Sequence, residues 1–269
     1  MGSTMNKPIW PFHQTSTDEH DLAFERPSVL VRQAVIMAGG KGTRLHPYSA
    51  LFPKPLMPLG DKPILELLLR RMKAAGVQEV IIAVNHLRHL IEAYFGDGSA
   101  IGLRLRYSTE DKPLGTAGAL GNMLDQLDDT FFLANGDLLT TMDLGRMAFS
   151  HISECADASV GIYERENKID FGLIEVDGRN RLRVYREKPI NKYYVSMGVY
   201  ILQREAILPH VFNVDYLDMP NLLLKIKSSN GNVVCFKDKC VWLDIGRPDD
   251  FALAQQMFEQ DREAFLDHA

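Results

Sequence analysis

The chain has 269 residues, 46% apolar and 24% charged, the makeup of one large α/β domain or two modest ones with a substantial core. Thirty Lys and Arg against 35 Asp and Glu leave a net charge of −5, which argues against nucleic acid or anionic membrane as partners. The longest apolar runs, such as Val80–Val84 and Leu67–Leu69, are too short to cross a bilayer, and Met1–His20 lacks the apolar centre of a signal peptide. Three cysteines without a CxxC pair (Cys155, Cys235, Cys240) disfavour both a disulfide framework and a structural zinc. A soluble domain in a reducing cytoplasm, acting on small molecules, is the expectation.

Residues 1–31 read as a tail. Met1-Gly2-Ser3-Thr4 looks like an expression remnant ahead of a second start at Met5, and Ile9, Trp10 and Phe12 are candidates to dock on the body. Residues 32–269 read as a single domain. Ala34–Met37 is a short apolar strand, Ile64–Ala75 a helix stopped by Gly76, and Glu79–Val84 a β-branched run suited to a sheet covered on both faces. Helix is expected over His86–Phe95, Ala117–Leu127 and Leu144–Ser153, and strand over Leu103–Tyr107 and Phe131–Ala134. This βαβα order predicts a Rossmann-like, doubly wound α/β sheet. Further short strands follow at Ala158–Tyr163, Gly172–Val176, Leu182–Glu187 and Tyr194–Leu202, then near Val233–Phe236 and Val241–Leu243. Between and after these come helices at Arg204–Val211, Met219–Lys227 and Asp249–Phe265. They predict mixed, partly antiparallel additions to the same sheet. Met142 and Met147 read as core filling, and His86 and His89 as surface side chains.

Gly39-Gly40-Lys41-Gly42-Thr43-Arg44-Leu45 follows the first strand, and Pro53-Lys54-Pro55 follows it. Glycines there let the backbone turn tightly and aim N–H groups at an anion. Arg44 adds a planar fork for phosphate oxygens, and Lys54 a compact charge on a backbone stiffened by two prolines. A Walker loop fails because Gly42 follows Lys41, and a dinucleotide fingerprint fails because Leu45 stands where glycine is required. A turn with incidental basic residues stays open on these residues alone.

Ala38–Leu45 with Pro53-Lys54-Pro55 resembles the signature of sugar-1-phosphate nucleotidyltransferases, and the resemblance runs from about Ala34 to the final helix. It implies nucleotide contacts from Gly39, Gly40, Gly42, Thr43, Arg44 and Lys54, with Arg44, Lys54 and Asp137 as the catalytic set. Phe131-Phe132-Leu133-Ala134-Asn135-Gly136-Asp137 and Cys240-Val241-Trp242-Leu243-Asp244 each end an apolar strand in a carboxylate. Ligands gather at the carboxyl ends of such strands. Either aspartate alone would suit a turn or a helix cap. The resemblance makes Asp137 and Asp244 magnesium ligands, and two hard oxygens suit Mg²⁺, which completes its shell with water and substrate phosphate. Asn135 and Gly136 then belong to the nucleotide site.

Glu187-Lys188-Pro189 matches the family's EKP motif, in which Glu contacts sugar hydroxyls and Lys grips the sugar phosphate. Gly172, Met197 and Gly198 fall at sugar-side positions, although Ser196-Met197 replaces the usual Asn-Ala. On the base side, Pro113-Leu114-Gly115-Thr116-Ala117-Gly118 resembles a loop frequent among guanylyltransferases. There Gly115 and Thr116 approach the base, Thr116 caps the helix, and Asn85 joins the pocket. Asp218-Met219-Pro220 and Trp242–Pro248 bring the chain closest to a mannose-1-phosphate guanylyltransferase-like branch often fused to CBS domains, for which the residues ahead of the catalytic part leave no room.

The implied function is an Mg²⁺-dependent transferase that makes an NDP-sugar and pyrophosphate from a nucleoside triphosphate, GTP favoured, and a hexose, hexosamine or heptose 1-phosphate. Such products feed polysaccharide biosynthesis. Thymidylyl, uridylyl or cytidylyl transfer is the alternative, and a homo-oligomer is compatible with the family. A non-catalytic nucleotide-sugar sensor would be expected to lack a metal aspartate or the loop lysine, and a nicotinamide oxidoreductase would need the fingerprint that Leu45 spoils.

Overall fold

Gln33–Met37 forms β1, the strand on which the molecule is built. The computed structural model describes residues 31–40, 52–85, 87–110 and 112–266, so the tail and much of the basic loop lie outside the described residues. After β1 come the two-residue strands β2 (Pro58–Leu59) and β3 (Lys62–Pro63), then α1 (Ile64–Ala74), β4 (Glu79–Val84), α2 (Arg88–Phe95) and β5 (Arg104–Thr109). A one-turn α3 (Gly115–Gly118) leads into a 3-10 segment (Ala119–Gln126), followed by β6 (Thr130–Asn135), β7 (Leu138–Thr140) and α4 (Leu144–Ser153). The second half supplies β8 (Ala158–Lys168), β9 (Leu173–Val176), β10 (Leu182–Arg186), β11 (Ile190–Gln203), α5 (Arg204–Val211) and α6 (Met219–Ser228). It closes with β12 (Val233–Lys237), β13 (Trp242–Asp244), α7 (Pro248–Gln260) and α8 (Arg262–Phe265).

Seven strands form one mixed sheet in the order β12-β8-β11-β6-β1-β4-β5. Only β11 runs against its neighbours, antiparallel to β6 and β8. The other pairings are all parallel. Side chains alternate across a strand, and both faces are covered. Ile36, Ile82 and Phe132 pack beneath Leu68 and Met72 of α1 and Met147 of α4. Val35, Ile81 and Leu133 meet Ile207 of α5 and Leu222 of α6 on the opposite side. A third cluster joins Leu67, Leu139, Leu243 and Phe258 where α7 covers the β7–β13 pair. Met142 and Met147 are fully buried, as expected of core filling. Helix α1 ends as its sequence predicts: Gly76 at φ +97° lets its N–H and that of Val77 reach the carbonyls of Lys73 and Met72. Among the described residues no helix is long and apolar enough to cross a membrane.

Three expected elements differ. The helix expected over Ala117–Leu127 is a single α-turn running into 3-10 geometry, with Met123 non-helical at φ −128°. The segment packs tightly there: a Cβ on Gly121 would stand 2.4 Å from the Val211 carbonyl. The closing helix breaks at Asp261, whose carboxylate accepts from the Ala264 N–H and starts α8. Strands β8 and β11 extend beyond the sheet as a paired arm, Ile190 opposite Lys168, through polar residues that carry no apolar alternation. There Lys192 bridges Glu164 and Glu166.

Candidate active site

From β1 the chain passes to β4 and β5 on one side and returns to β6 on the other, so the winding reverses between β1 and β6. Ligands bind at such a reversal, beyond the carboxyl ends of the strands. Gly39 and Gly40 leave β1 there. Gly39 packs against Asn85 at the end of β4, and among the described residues nothing stands within 4 Å of a Cβ built on Gly40. Gly42, Thr43 and Arg44 lie outside the described residues. Gly136 follows β6 and donates its N–H to the Met37 carbonyl at 2.9 Å. A Cβ at Gly136 would press on Ile36 and Met37 at 3.2 Å, so glycine lets the two strand ends close up.

Asp137 emerges at that point. Strand β13 pairs antiparallel with β7, placing Asp244 opposite Leu138, and the Ile245 N–H reaches the Asp137 carbonyl at 3.1 Å. Two carboxylates distant in the chain thus stand on neighbouring strand ends. Lys54 begins a 3-10 turn between buried Pro53 and Pro55, and its ammonium donates to the Asp137 carboxylate. A Cβ on Gly246 would lie 3.8 Å from an Asp244 oxygen and 3.7 Å from one of Asp250. Among the described residues no group of three or more His, Cys, Asp or Glu side chains converges. Asp137, which already faces the Lys54 ammonium, and Asp244 are hard oxygen donors of the type a divalent ion takes when it draws its other ligands from water and phosphate.

On the sugar side, Glu187 is exposed and accepts from the Tyr185 hydroxyl at 3.0 Å. Gly172 lies close to that hydroxyl, which would stand 2.4 Å from a Cβ and would have to swing aside for any larger residue. Exposed Lys188 holds φ +43°, an unusual backbone for a residue with a side chain. Met197, expected at a sugar-side position, has its side chain fully buried in the core. Its carbonyl accepts the Trp242 indole N–H at 2.9 Å. Gly198, at φ +73°, sits where the β8–β11 register shifts, under the Asn135 amide. Trp242, in the strand that delivers Asp244, lies tilted against Tyr163 with the Arg165 guanidinium 5.2 Å from the centre of its ring. Burial pushes the neighbouring Cys240 thiol up to about 11, so it stays protonated at neutral pH.

At the turn expected on the base side, Gly115 has φ +81°, and a Cβ would come within 2.5 Å of the Leu217 carbonyl. Thr116 does not cap its own helix. Its hydroxyl accepts from the Met219 N–H at 2.9 Å and caps α6, because the Tyr216–Met219 segment docks on this turn. His89 is exposed on α2, whereas His86 lies outside the described residues.

A family profile described as Nucleotidyl transferase matches residues 33–261. A mannose-1-phosphate guanylyltransferase from Mycobacterium tuberculosis is 35% identical over 227 residues, which is 81% of this chain and 62% of that protein. A D-glycero-alpha-D-manno-heptose 1-phosphate guanylyltransferase from Campylobacter jejuni is 30% identical over 221 residues, 81% of this chain and 96% of that one. Among solved structures, HddC from Yersinia pseudotuberculosis complexed with GMP-PN matches with a TM-score of 0.66 at 25% identity, covering 85% of this chain and 100% of that chain.

Proposed function

The chain belongs to the nucleotidyl transferase family, and from that premise we infer that it makes an NDP-sugar and pyrophosphate from a nucleoside triphosphate and a sugar 1-phosphate. GTP is the favoured triphosphate, because several relatives along most of the chain are guanylyltransferases; UTP is the alternative, since a uridylyltransferase is also among them. The sugar is a hexose, hexosamine or heptose 1-phosphate. The observation that carries the reading is the Lys54–Asp137 pair beside the glycine turn, with Asp244 on the neighbouring strand end.

An oxygen of the sugar phosphate attacks the α-phosphorus in line; that P–O bond forms as the bond to the β-phosphate oxygen breaks and pyrophosphate leaves. The attacking phosphate is already ionised near neutral pH, so no general base is needed. Bringing two anions together costs roughly 4 kcal/mol per unit pair at 4 Å in a medium of dielectric 20, and several such pairs are involved. Lys54 and Arg44 offset this on the triphosphate and Lys188 on the sugar phosphate, so that catalysis is positioning and charge neutralisation. Asp137 and Asp244 would hold Mg²⁺, which supplies Lewis-acid charge to the phosphates when bound. Glu187, steadied by Tyr185, addresses sugar hydroxyls, and three free thiols suit a reducing cytoplasm.

Pyrophosphate release across a panel of GTP, UTP, CTP, ATP and dTTP with hexose, hexosamine and heptose 1-phosphates tests the reading. GTP should give the highest turnover, and Asp137→Ala should abolish it. Full turnover in that variant would overturn the assignment.

A further inference from the structure

Tyr216-Leu217-Asp218-Met219 is bonded closely to the Leu114–Gly118 turn. The Leu217 N–H donates to the Leu114 carbonyl at 2.8 Å, and the Leu217 carbonyl accepts the N–H groups of Ala117 and Gly118, both at 2.9 Å. Asp218 stands at the N-cap of α6, but its side chain does not cap that helix. One carboxylate oxygen instead accepts the Thr116 N–H at 3.3 Å, and the other accepts the Tyr216 hydroxyl at 2.9 Å. In exchange, the Thr116 hydroxyl serves α6 through the Met219 N–H. Two segments distant in the chain therefore complete each other's hydrogen bonding. The arrangement leaves no room for a side chain at position 115, where a Cβ would also stand 2.9 Å from the Asp218 carboxylate.

A left-handed glycine has several low-energy alternatives, so the φ of Gly115 is not fixed by its own chemistry. The neighbouring carboxylate supplies what the glycine lacks. We propose that Asp218, steadied by Tyr216, is a positioning residue for the nucleotide that locks the Gly115–Thr116 turn in its base-facing conformation. The proposal rests on the reading above, in which Gly115 and Thr116 meet the nucleobase. It gives the Tyr216-Leu217-Asp218-Met219 segment a role in nucleotide affinity without any contact to the nucleotide. It also predicts that sugar-phosphate affinity is untouched, since Glu187 and Lys188 belong to separate strands.

The test compares wild type, Asp218→Ala, Asp218→Asn and Tyr216→Phe by calorimetric titration with GTP and Mg²⁺, by KM for the sugar 1-phosphate, and by hydrogen exchange at the Gly115–Gly118 amides. Asp218→Ala should weaken GTP about tenfold, speed exchange in the turn, and leave the sugar-phosphate KM within about twofold. Asp218→Asn should recover most of the affinity, because its amide oxygen still accepts from Thr116 and its amide NH₂ can donate to Tyr216. If Asp218→Ala does not fold, Tyr216→Phe carries the test with a loss of about threefold. GTP protecting the turn while the variants bind it as tightly as wild type would overturn the latch alone. GTP leaving the turn's exchange unchanged would overturn the base-site reading, and the latch with it.

Discussion

The Lys54 ammonium donates to the Asp137 carboxylate, so the Pro-Lys-Pro turn and the end of the central strand β6 are joined by a charge pair. Their side chains are only 12% and 22% exposed, so each charge depends on the other for part of its solvation. This separates structural from catalytic roles. Asp137→Ala should lower stability by about 1–2 kcal/mol, allowing for partial screening, because it strands the lysine. Lys54→Met should strand the aspartate similarly. The double variant should recover most of that stability in urea denaturation yet remain at least about a hundredfold down in pyrophosphate release. A double variant with restored turnover would show that the pair only holds the fold.

Gly198 and Asn135 give a second test. With φ +73° and the Asn135 amide nitrogen 2.5 Å from a would-be Cβ, Gly198→Ala meets both backbone strain and a steric clash. The loss should be about 1–3 kcal/mol. Asn135→Ala removes the clash but not the strain. A double-mutant cycle by thermal or urea unfolding should therefore show coupling of at least about 0.5 kcal/mol. Strict additivity would mean that the amide swings clear of the new methyl and that backbone strain alone sets the loss.

How far the sequence is legible follows from where each signal lies. The central strands can be read because runs such as Phe131–Ala134 are apolar without interruption, and Asp137 can be found because it ends such a run. Asp244 follows by the same logic from Trp242-Leu243. The arm of β8 and β11 escapes because Glu164–Lys168 and Ile190–Tyr193 are mostly polar; ladder bonds and ion pairs hold it, with no buried face. At Met197 the motif specifies backbone location alone, and the long apolar side chain packs inward. Asp218 is visible in the sequence only as part of Asp218-Met219-Pro220, which gives no hint of its hydrogen-bond partner. Its partner Thr116 lies far upstream, and only the fold brings the two into hydrogen-bond reach.

Lys188 sits in the EKP motif with a left-handed backbone, φ +43°. Such a conformation costs a residue with a Cβ about 1–2 kcal/mol, and glycine escapes the cost. Lys188→Gly should therefore be about 1 kcal/mol more stable than Lys188→Ala in urea unfolding. Both variants should raise the KM for the sugar 1-phosphate about tenfold or more, because both lose the ammonium. Equal stability of the two would remove the strain argument, and an unchanged KM would remove the lysine from the sugar-phosphate site.

His151 provides a pH test remote from the site. It is fully buried on α4, with Ser159 Oγ 2.8 Å from Nδ1 and the Gln203 amide nitrogen 3.2 Å from Nε2. Burial pushes its pKa down from 6.5 to about 4, and the charge of Asp157 offsets only part of this. Between those two values the unfolded chain binds a proton that the folded protein excludes. The stabilisation is complete above about pH 6.5 and is lost progressively as pH falls towards 4, by roughly 3 kcal/mol at most. Urea unfolding from pH 7.5 to 4.5 should show this decline in the wild type. In His151→Gln, which cannot titrate, the decline should be shallower by that amount, whatever the substitution costs at pH 7.5. Parallel pH profiles for the two proteins would mean that the imidazole takes up its proton inside the folded protein.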